Sequence, residues 1–316
     1  MPHLAVVIVS WNVRDLLAAC LRSLSADLDR SGLAAQVWVV DNGSTDGTPQ
    51  MVAEAFPAVH LVASQENLGF ARANNLALRA ILRNSQFAIR NSPPVWLLNP
   101  DTEVRPGATA ALLDFMECTP QAGVAGAKLL YPDGSLQHSA FRFPGLTQLL
   151  FEFLPLPPRL YDIPLNGRYP RHLYEGETPF PVDHPLGAAM MVRAEAVADV
   201  GLLDEGFWMY CEEIDWCWRM RKAGWRAYCV PAARVVHHAG KSSGQVRVAS
   251  FVALWRSRLR LYGKHYPPLK RHLARQLVRA GVRWKMHQAR AAHRRGEISA
   301  AELAARLEAC RTVLTL

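Results

Sequence analysis

Short apolar runs rich in β-branched residues recur along the first third of the chain. They occupy residues 4–9, 36–40, 59–63 and 95–98, and helical patterns such as the one at 16–24 separate them. Continuous apolar runs are typical of strands that are buried on both faces of a sheet. Strands that alternate with helices favour a parallel, doubly wound sheet. We therefore predict an α/β fold.

Polar residues follow each of these strands, at the edge where open α/β sheets bind their ligands. We expect six of them to converge on one crevice: Ser10, Asn12, Asp41, Arg72, Asn99 and Asp101. The chain has no Gly-x-Gly-x-x-Gly sequence after its first strand and no Walker lysine. A dinucleotide-binding or P-loop protein is therefore disfavoured.

Two of these acids have distinct candidate roles. Asp41 can accept a hydrogen bond from a pyrimidine N–H and so fix a base, although a turn or a helix cap uses the same residue. Asp101 follows a strand in an Asn-Pro-Asp turn. A carboxylate in that position can hold Mg²⁺ or Mn²⁺ together with a diphosphate, although the same turn also forms without a metal.

The stretch from residue 201 to 225 sets acids among aromatic residues. Its acids are Asp204, Glu205, Glu212, Glu213 and Asp215, and its aromatic residues include Phe207, Trp208, Tyr210, Trp216 and Trp218. From Glu212 the pattern predicts a helix in which Asp215 and Arg219 form an ion pair. Burying an unpaired carboxylate is costly, so we interpret the cluster as a general base in a partly dry cleft. A capped helix with one salt bridge is the alternative.

Two later segments carry further candidates. Residues 187–193 look like a strand, and small residues beginning at Gly187 would let a ligand approach its backbone. Residues 227–230 and 234–236 are also strand-like, and the second of these runs leads into His237 and His238, ahead of a glycine, a lysine and two serines. A histidine there can ligate a metal or bind phosphate, or it can be structural. Earlier in the chain, residues 131–134 (Tyr-Pro-Asp-Gly) predict a hairpin turn. Residues 146–171, rich in Leu, Phe and Pro, predict a loop or short helices.

Charge is distributed unevenly along the 316 residues. The net charge is +9, but residues 241–316 hold 17 of the 36 Lys and Arg residues and only 3 of the 27 Asp and Glu residues. Long basic amphipathic helices are predicted over 247–295, and a short helix capped by Ser299 follows. Such helices suit an anionic membrane surface, or they pack on the body with a solvated face. The first residues are predicted to form a strand rather than a signal peptide, and cysteines without zinc spacing suggest a cytosolic protein.

Together these residues resemble the inverting glycosyltransferases of family 2, and among them the bacterial rhamnosyltransferase-like branch. The resemblance covers residues 4–265. It rests on motifs in the family's order: VVIVSWN, VVDNGSTDGT, NLGFARANN, WLLNPDTEV, GAKLLYPDGSLQHSAFRFP, GAAMMVRAEAV, GLLDEGFWMYCEEIDWCWR and HHAGKSS. It implies a GT-A domain over residues 1–246, with a mostly parallel central sheet flanked by helices. Residues 247–316 would then be a basic helical appendage able to associate with a membrane.

The resemblance also implies roles for the residues of a nucleotide-sugar site. Asp41 would contact the donor's base, with Ser10 and Asn12 nearby. Arg72 and Asn74 would lie beside the nucleotide's sugar and phosphates.

The metal and the catalytic base follow from the same resemblance. Asn99-Pro100-Asp101 stands where the family has its DxD motif, with Asn in place of the first acid, so that the metal would depend mainly on Asp101. His237 would complete the metal–diphosphate site, although the neighbouring His238 leaves two candidates. Glu213, one methylene longer than the family's Asp, would be the base, and Glu212 would bind or orient the acceptor.

The expected function is metal-dependent transfer of a rhamnose-like sugar from a dTDP- or UDP-linked donor. The acceptor would be a hydroxyl of a lipid-linked or polysaccharide molecule in cell-envelope glycan synthesis, at the inner face of the plasma membrane. A nucleotidyltransferase acting on sugar phosphates is the alternative, and it would release pyrophosphate. A nucleic-acid-binding protein, suggested only by the basic C-terminal region, is not expected.

Overall fold

The computed structural model describes residues 3–82, 92–154, 162–239 and 247–316. The chain divides into two compact units. The first comprises Met1–Phe143, Arg168–Trp208 and Glu212–Ser242, and the second comprises Pro144–Gly167, Met209–Cys211 and Ser243–Leu316. The predicted domain boundary after residue 246 falls at the end of residues 240–246, which lie outside the described residues, as does the GKSS part of the HHAGKSS motif.

The first unit is built on strands and helices that alternate along the chain. Its strands are β1 (Leu4–Ser10), β2 (Ala35–Asn42), β3 (His60–Ser64), β4 (Val95–Leu98), β5 (Thr102–Val104), β6 (Ala122–Leu130), β7 (Leu136–Gln137), β8 (Ala140–Phe141), β9 (Phe180–Val182), β10 (His184–Pro185), β11 (Ala189–Val192) and β12 (Arg226–His237). Its helices are α1 (Arg14–Ser31), α2 (Thr48–Ala55), α3 (Phe70–Ile81), α4 (Ala108–Cys118), α6 (His172–Glu175), α7 (Ala194–Val200) and α8 (Glu212–Lys222). The second unit contains α5 (Leu146–Phe153), α9 (Arg247–His265), α10 (Pro268–Arg294) and α11 (Ala300–Thr315).

The central sheet has the strand order β3-β2-β1-β4-β11-β6-β12-β5, with β7 beside β6 and β9 beside β12. Neighbours from β3 to β4 are parallel, and β6 is parallel to β12. Strand β11 lies between β4 and β6 and is antiparallel to both. The predicted α/β fold with a mostly parallel sheet is thus confirmed, with antiparallel strands in its second half.

Strand β1 shows why its sequence is apolar at every position. Leu4, Val6 and Ile8 belong to the core on one face of the sheet, which includes Leu17 and Leu21 of α1. The alternate residues, Ala5, Val7 and Val9, belong to the core on the other face, which includes Ala77 and Leu78 of α3. A strand covered on both faces has no solvated side, so period-two alternation of polar residues is absent.

The third quarter of the chain departs from the predicted strands in one respect. Residues 227–230 and 234–236, predicted as two strands, form the single strand β12, whose register against β6 shifts between Val230 and Arg234.

The predicted hairpin turn at 131–134 is confirmed, because Tyr131 N–H donates to Ser135 O at 2.9 Å and Gly134 adopts a φ of 84°. This turn brings β7 back alongside β6.

The second unit is helical. The segment predicted as a loop or short helices contains α5 and a 3₁₀ turn over Pro164–Asn166, with residues 155–161 outside the described part. Phe153 stacks on the buried Trp255 at 5.0 Å between ring centroids and packs directly over Gly281. Ser299 caps α11, because its Oγ accepts from Glu302 N–H at 3.1 Å. Within the described ranges, no helix is long and apolar enough to cross a membrane.

Candidate active site

The ends of β1 and β2 present two buried polar atoms that lack a partner. Ser10 and Asp41 are neighbours in the parallel register of these strands, and both are buried. Asp41 Oδ2 accepts from Ser44 N–H at 3.0 Å, whereas Asp41 Oδ1 and Ser10 Oγ have no hydrogen-bond partner among the described residues. Buried polar groups normally have one, so these atoms are available to a ligand.

Asn12 holds the loops after the same two strands together. Its N–H donates to Ser44 Oγ at 2.9 Å, and its Oδ1 accepts from Thr45 N–H at 2.8 Å. Its φ of 51° is in the left-handed region, which Asn tolerates better than most residues. Asn12 therefore shapes the crevice next to Ser10 and Asp41.

Helix α3 carries the two other residues predicted for the nucleotide. Asn74 is buried, and its Nδ2 donates to Phe70 O at 2.9 Å within the same helix. Arg72 is exposed. The two residues thus have different environments, and of the two only Arg72 is exposed.

The turn after β4 brings Asp101 close to His237. Asp101 is buried, and its Oδ1 lies 3.4 Å from His237 Nε2. The other ring nitrogen of His237, Nδ1, is 3.0 Å from Gln137 Oε1. Asn99, half-buried at the start of the turn, accepts a hydrogen bond from Thr102 Oγ1 at 2.7 Å through its carbonyl oxygen. The turn is therefore closed by a hydrogen bond from the Thr102 side chain to the Asn99 backbone.

The two adjacent histidines have different partners. His238 Nε2 lies 2.7 Å from Glu103 Oε1, and its N–H donates to Asp101 O at 2.8 Å. Only His237 directs a ring nitrogen toward the Asp101 carboxylate. The geometry thus favours His237 of the two candidates.

The side chains at this turn are of the types that coordinate a divalent cation. Within the described ranges, no group of three or more His, Cys, Asp and Glu residues is arranged to hold a metal. Mg²⁺, however, is commonly held by one or two protein carboxylates and completed by phosphate oxygens and water. A buried carboxylate beside an imidazole nitrogen, Asp101 with His237, is compatible with that mode.

Glu212 and Glu213 open helix α8 in a desolvated position. Glu212 is 5% exposed, Glu213 is half-buried, and the Oε2 atoms of both lack a hydrogen-bond partner among the described residues. Burial raises the pKa of Glu213 to about 7. Burial, and then the charge of Glu213, raises the pKa of Glu212 well above its usual range. This is the environment that a carboxylate base requires near neutral pH.

Gly187 provides the space beside Glu213. A Cβ at Gly187 would lie 3.5 Å from Glu213 Cβ and Cγ. The next residue, Ala188, accepts from Asn99 N–H at 2.8 Å through its carbonyl oxygen. Gly187 and Ala188, predicted to begin a strand, form a turn before β11. This turn, which borders Glu213, is therefore hydrogen-bonded to the turn that carries Asp101.

The rest of the acidic stretch is structural. Asp215 Oδ2 accepts from Arg219 Nε at 2.8 Å, as predicted, and Arg219 also donates to Val200 O and Leu202 O. Trp216 is fully buried and donates from Nε1 to Gly201 O at 2.8 Å. These contacts anchor α8 to the end of α7 and the loop that follows it, and Glu212 and Glu213 occupy the first turn of α8.

Gln137 lies at the site although the sequence predictions assign it no role, and Trp208 is one of the aromatic residues that the sequence places among the acids. Gln137 contacts His237, as described above, and Trp208 is 40% exposed with its carbonyl oxygen accepting from Phe70 N–H at 2.6 Å. At Gly69, whose φ is 81°, a Cβ would overlap the Trp208 side chain, so only glycine fits there. Both residues lie in the motifs quoted above, but their contacts are long-range and no local spacing indicates them.

A mostly parallel α/β sheet with acids and a histidine along its binding edge is the architecture of nucleotide-sugar transferases with the GT-A fold. Residues 5–200 match the family described as "Glycosyl transferase family 2". The chain belongs to this family, and it is an enzyme, a glycosyltransferase of the rhamnosyltransferase-like branch.

Individual relatives agree with this assignment. The chain is 34% identical over 256 residues to N-acetylglucosaminyl-diphospho-decaprenol L-rhamnosyltransferase of Mycobacterium tuberculosis, covering 77% of this chain and 78% of the relative. It is 24% identical over 237 residues to rhamnosyltransferase WbbL of Escherichia coli, covering 74% and 83%. The fold is similar to that of mannosyltransferase PcManGT from Pyrobaculum calidifontis, solved with GDP-Man and Mn²⁺, with a TM-score of 0.56, 18% identity and coverage of 99% and 83%.

Proposed function

We propose that this enzyme transfers a sugar, with inversion at the anomeric carbon, from a nucleoside diphosphate to a hydroxyl of a lipid-linked or polysaccharide acceptor in cell-envelope glycan synthesis. The observation that carries the proposal is the desolvated carboxylate of Glu213 in the first turn of α8, beside Gly187, whose Oε2 has no hydrogen-bond partner among the described residues. The names of the rhamnosyltransferase relatives support a rhamnose-like sugar, and the decaprenol in the mycobacterial name supports a lipid-linked acceptor.

Glu213 is the proposed base. A general base works best when its pKa is near the working pH, and burial brings the pKa of Glu213 to about 7. It would take the proton of the acceptor hydroxyl as that oxygen attacks the face opposite the leaving diphosphate, as a base activates water in inverting glycosidases. Glu212, kept neutral by its raised pKa, could donate a hydrogen bond that orients the acceptor. The half-exposed ring of Trp208 could stack on a sugar.

The proposed donor site lies at the ends of β1 and β2 and at the start of α3. Asp41 Oδ1 would accept a hydrogen bond from the N3–H of a thymine or uracil base, and Ser10 Oγ would donate to a carbonyl oxygen of the same base. Asn12 would border that base, while Arg72 and Asn74 would lie by the ribose and the phosphates. A dTDP- or UDP-sugar fits this arrangement.

The proposed metal site consists of Asp101 and His237, beside Asn99. These residues would hold Mg²⁺ or Mn²⁺ together with the diphosphate of the donor. When bound, the cation supplies neutralisation of the charge that develops on the diphosphate leaving group. Mn²⁺ in the related mannosyltransferase structure supports this proposal.

A membrane-facing role is proposed for helix α10. Leu269, Leu273 and Trp284 are 73%, 44% and 38% exposed and lie near one side of this helix. Exposed arginines, including Arg279 and Arg283, flank them. Exposed apolar residues beside cations suit an anionic bilayer surface, so we place the enzyme at the cytoplasmic face of the membrane. Co-sedimentation of wild type with anionic vesicles, and its loss in Leu273→Glu, would support this placement, whereas equal binding to neutral vesicles would refute it.

The decisive test of the function is product analysis with a matched donor. Thermal shifts with dTDP, UDP and GDP in the presence of Mn²⁺ select the nucleotide, and the corresponding sugar donors are then incubated with a polyprenyl-diphosphate-linked acceptor. Release of the nucleoside diphosphate, with an inverted glycosidic bond, is the expected result. Release of pyrophosphate would instead support the nucleotidyltransferase alternative, which the family assignment disfavours.

A further inference from the structure

Gln137 is a buried amide that contacts the proposed metal ligand from the side opposite Asp101. It lies on β7, which pairs with β6, and is 7% exposed. Its Oε1 is 3.0 Å from His237 Nδ1, while His237 Nε2 is 3.4 Å from Asp101 Oδ1. The imidazole is thus held between an amide oxygen and a carboxylate.

The amide oxygen determines which ring nitrogen carries the proton. A carbonyl oxygen only accepts hydrogen bonds, and a neutral imidazole has one N–H and one lone pair. With Gln137 Oε1 facing the ring, Nδ1 of a neutral His237 donates to Gln137, and Nε2 keeps its lone pair toward Asp101. Metal-bound histidines almost always donate their second N–H to such an acceptor, which orients the ring and raises its basicity.

The distance between His237 and Asp101 agrees with this tautomer. The distance of 3.4 Å between His237 Nε2 and Asp101 Oδ1 exceeds the usual N···O distance of an N–H···O hydrogen bond, about 2.7–3.2 Å. Two acceptors that face each other at this distance bind a shared cation better than they bind each other. We propose that Gln137 is a positioning residue that fixes the tautomer and ring orientation of His237, so that Nε2 is presented to the divalent cation at Asp101. This inference rests on the metal site proposed above.

The adjacent histidine serves as a matched control. His238 Nε2 lies 2.7 Å from Glu103 Oε1, so its ring already has an acid partner of its own. Removing that partner, in Glu103→Gln, changes a histidine–acid contact on the same strands without touching His237. Gln137→Leu removes the acceptor at Nδ1, whereas Gln137→Glu retains an oxygen that accepts from Nδ1–H.

The test measures Mn²⁺ affinity of the full chain by electron paramagnetic resonance of free Mn²⁺, with saturating dTDP or UDP. We expect Gln137→Leu to weaken Mn²⁺ binding by about 10–100-fold, with Gln137→Glu and Glu103→Gln close to wild type. Equal affinity in Gln137→Leu and wild type would overturn the inference while leaving the metal site intact. Absence of Mn²⁺ binding in wild type would overturn the proposed metal site, and the inference with it.

A spectroscopic readout on the unmodified protein does not depend on whether any variant folds. Long-range ¹H–¹⁵N spectra distinguish the two imidazole tautomers, and a His237→Gln spectrum assigns the signal. We expect wild-type His237 to carry its proton on Nδ1 in the metal-free protein at neutral pH. A proton on Nε2 would overturn the role of Gln137.

Discussion

Replacing Glu213 with glutamine should increase stability at alkaline pH while abolishing transfer. Burial moves the pKa of Glu213 from 4.5 to about 7, so above that pH the folded protein holds a poorly solvated charge. At about 1.4 kcal/mol per pH unit, this displacement corresponds to about 3 kcal/mol. Partial exposure of the half-buried side chain screens the charge, so we expect a gain of about 2 kcal/mol in the free energy of unfolding for Glu213→Gln.

The pH dependence has a definite sign. Below pH 4.5 the carboxyl is protonated in both the folded and the unfolded chain, so Glu213→Gln and wild type should be equally stable. As pH rises toward about 7, the unfolded chain has lost a proton that the folded chain still holds, and wild type loses stability. The advantage of the variant should therefore grow across this window and be complete by about pH 8.

The assay is urea unfolding followed by tryptophan fluorescence at acidic and alkaline pH, with turnover measured in parallel. Glu117→Gln, an exposed glutamate on α4, is the matched control and should change neither quantity. Turnover of Glu213→Gln should fall by about 10²–10⁴-fold. Equal stability of Glu213→Gln and wild type at pH 8 would show that this carboxylate is solvated, and retained turnover would refute its role as base.

Three further substitutions probe the supports of the site. Asp215→Asn should lower the free energy of unfolding by about 3 kcal/mol in urea titrations, because it weakens a buried ion pair. Gly187→Val should reduce turnover but leave donor affinity by calorimetry unchanged, since the protein atoms nearest its Cβ belong to Glu213 and not to the proposed nucleotide-binding residues. Gly281→Ala should lower the melting temperature and reduce the free energy of unfolding by about 2 kcal/mol, because its Cβ would overlap the Phe153 ring. An unchanged melting temperature would contradict this packing.

Local sequence patterns were sufficient for much of the fold. The apolar runs of β1 and β2, the turn at 131–134 and the capped start of α11 depend on residues close together in the chain, and all are confirmed. The single strand β12 was harder to predict, because residues 231–233 continue it through a register shift that only its pairing with β6 reveals.

The candidate site likewise has features that local sequence predicts and features that only the folded chain shows. By itself, the sequence determined which polar residues lie at or just after the strand ends, including Asp41 and Asp101, since strand ends are a local property and parallel strands end at one edge. Only the tertiary structure decided that His237 rather than His238 faces Asp101, and that Gly187 borders Glu213. These contacts join residues far apart in the chain, so they follow from strand pairing and helix packing, which local periodicity does not encode.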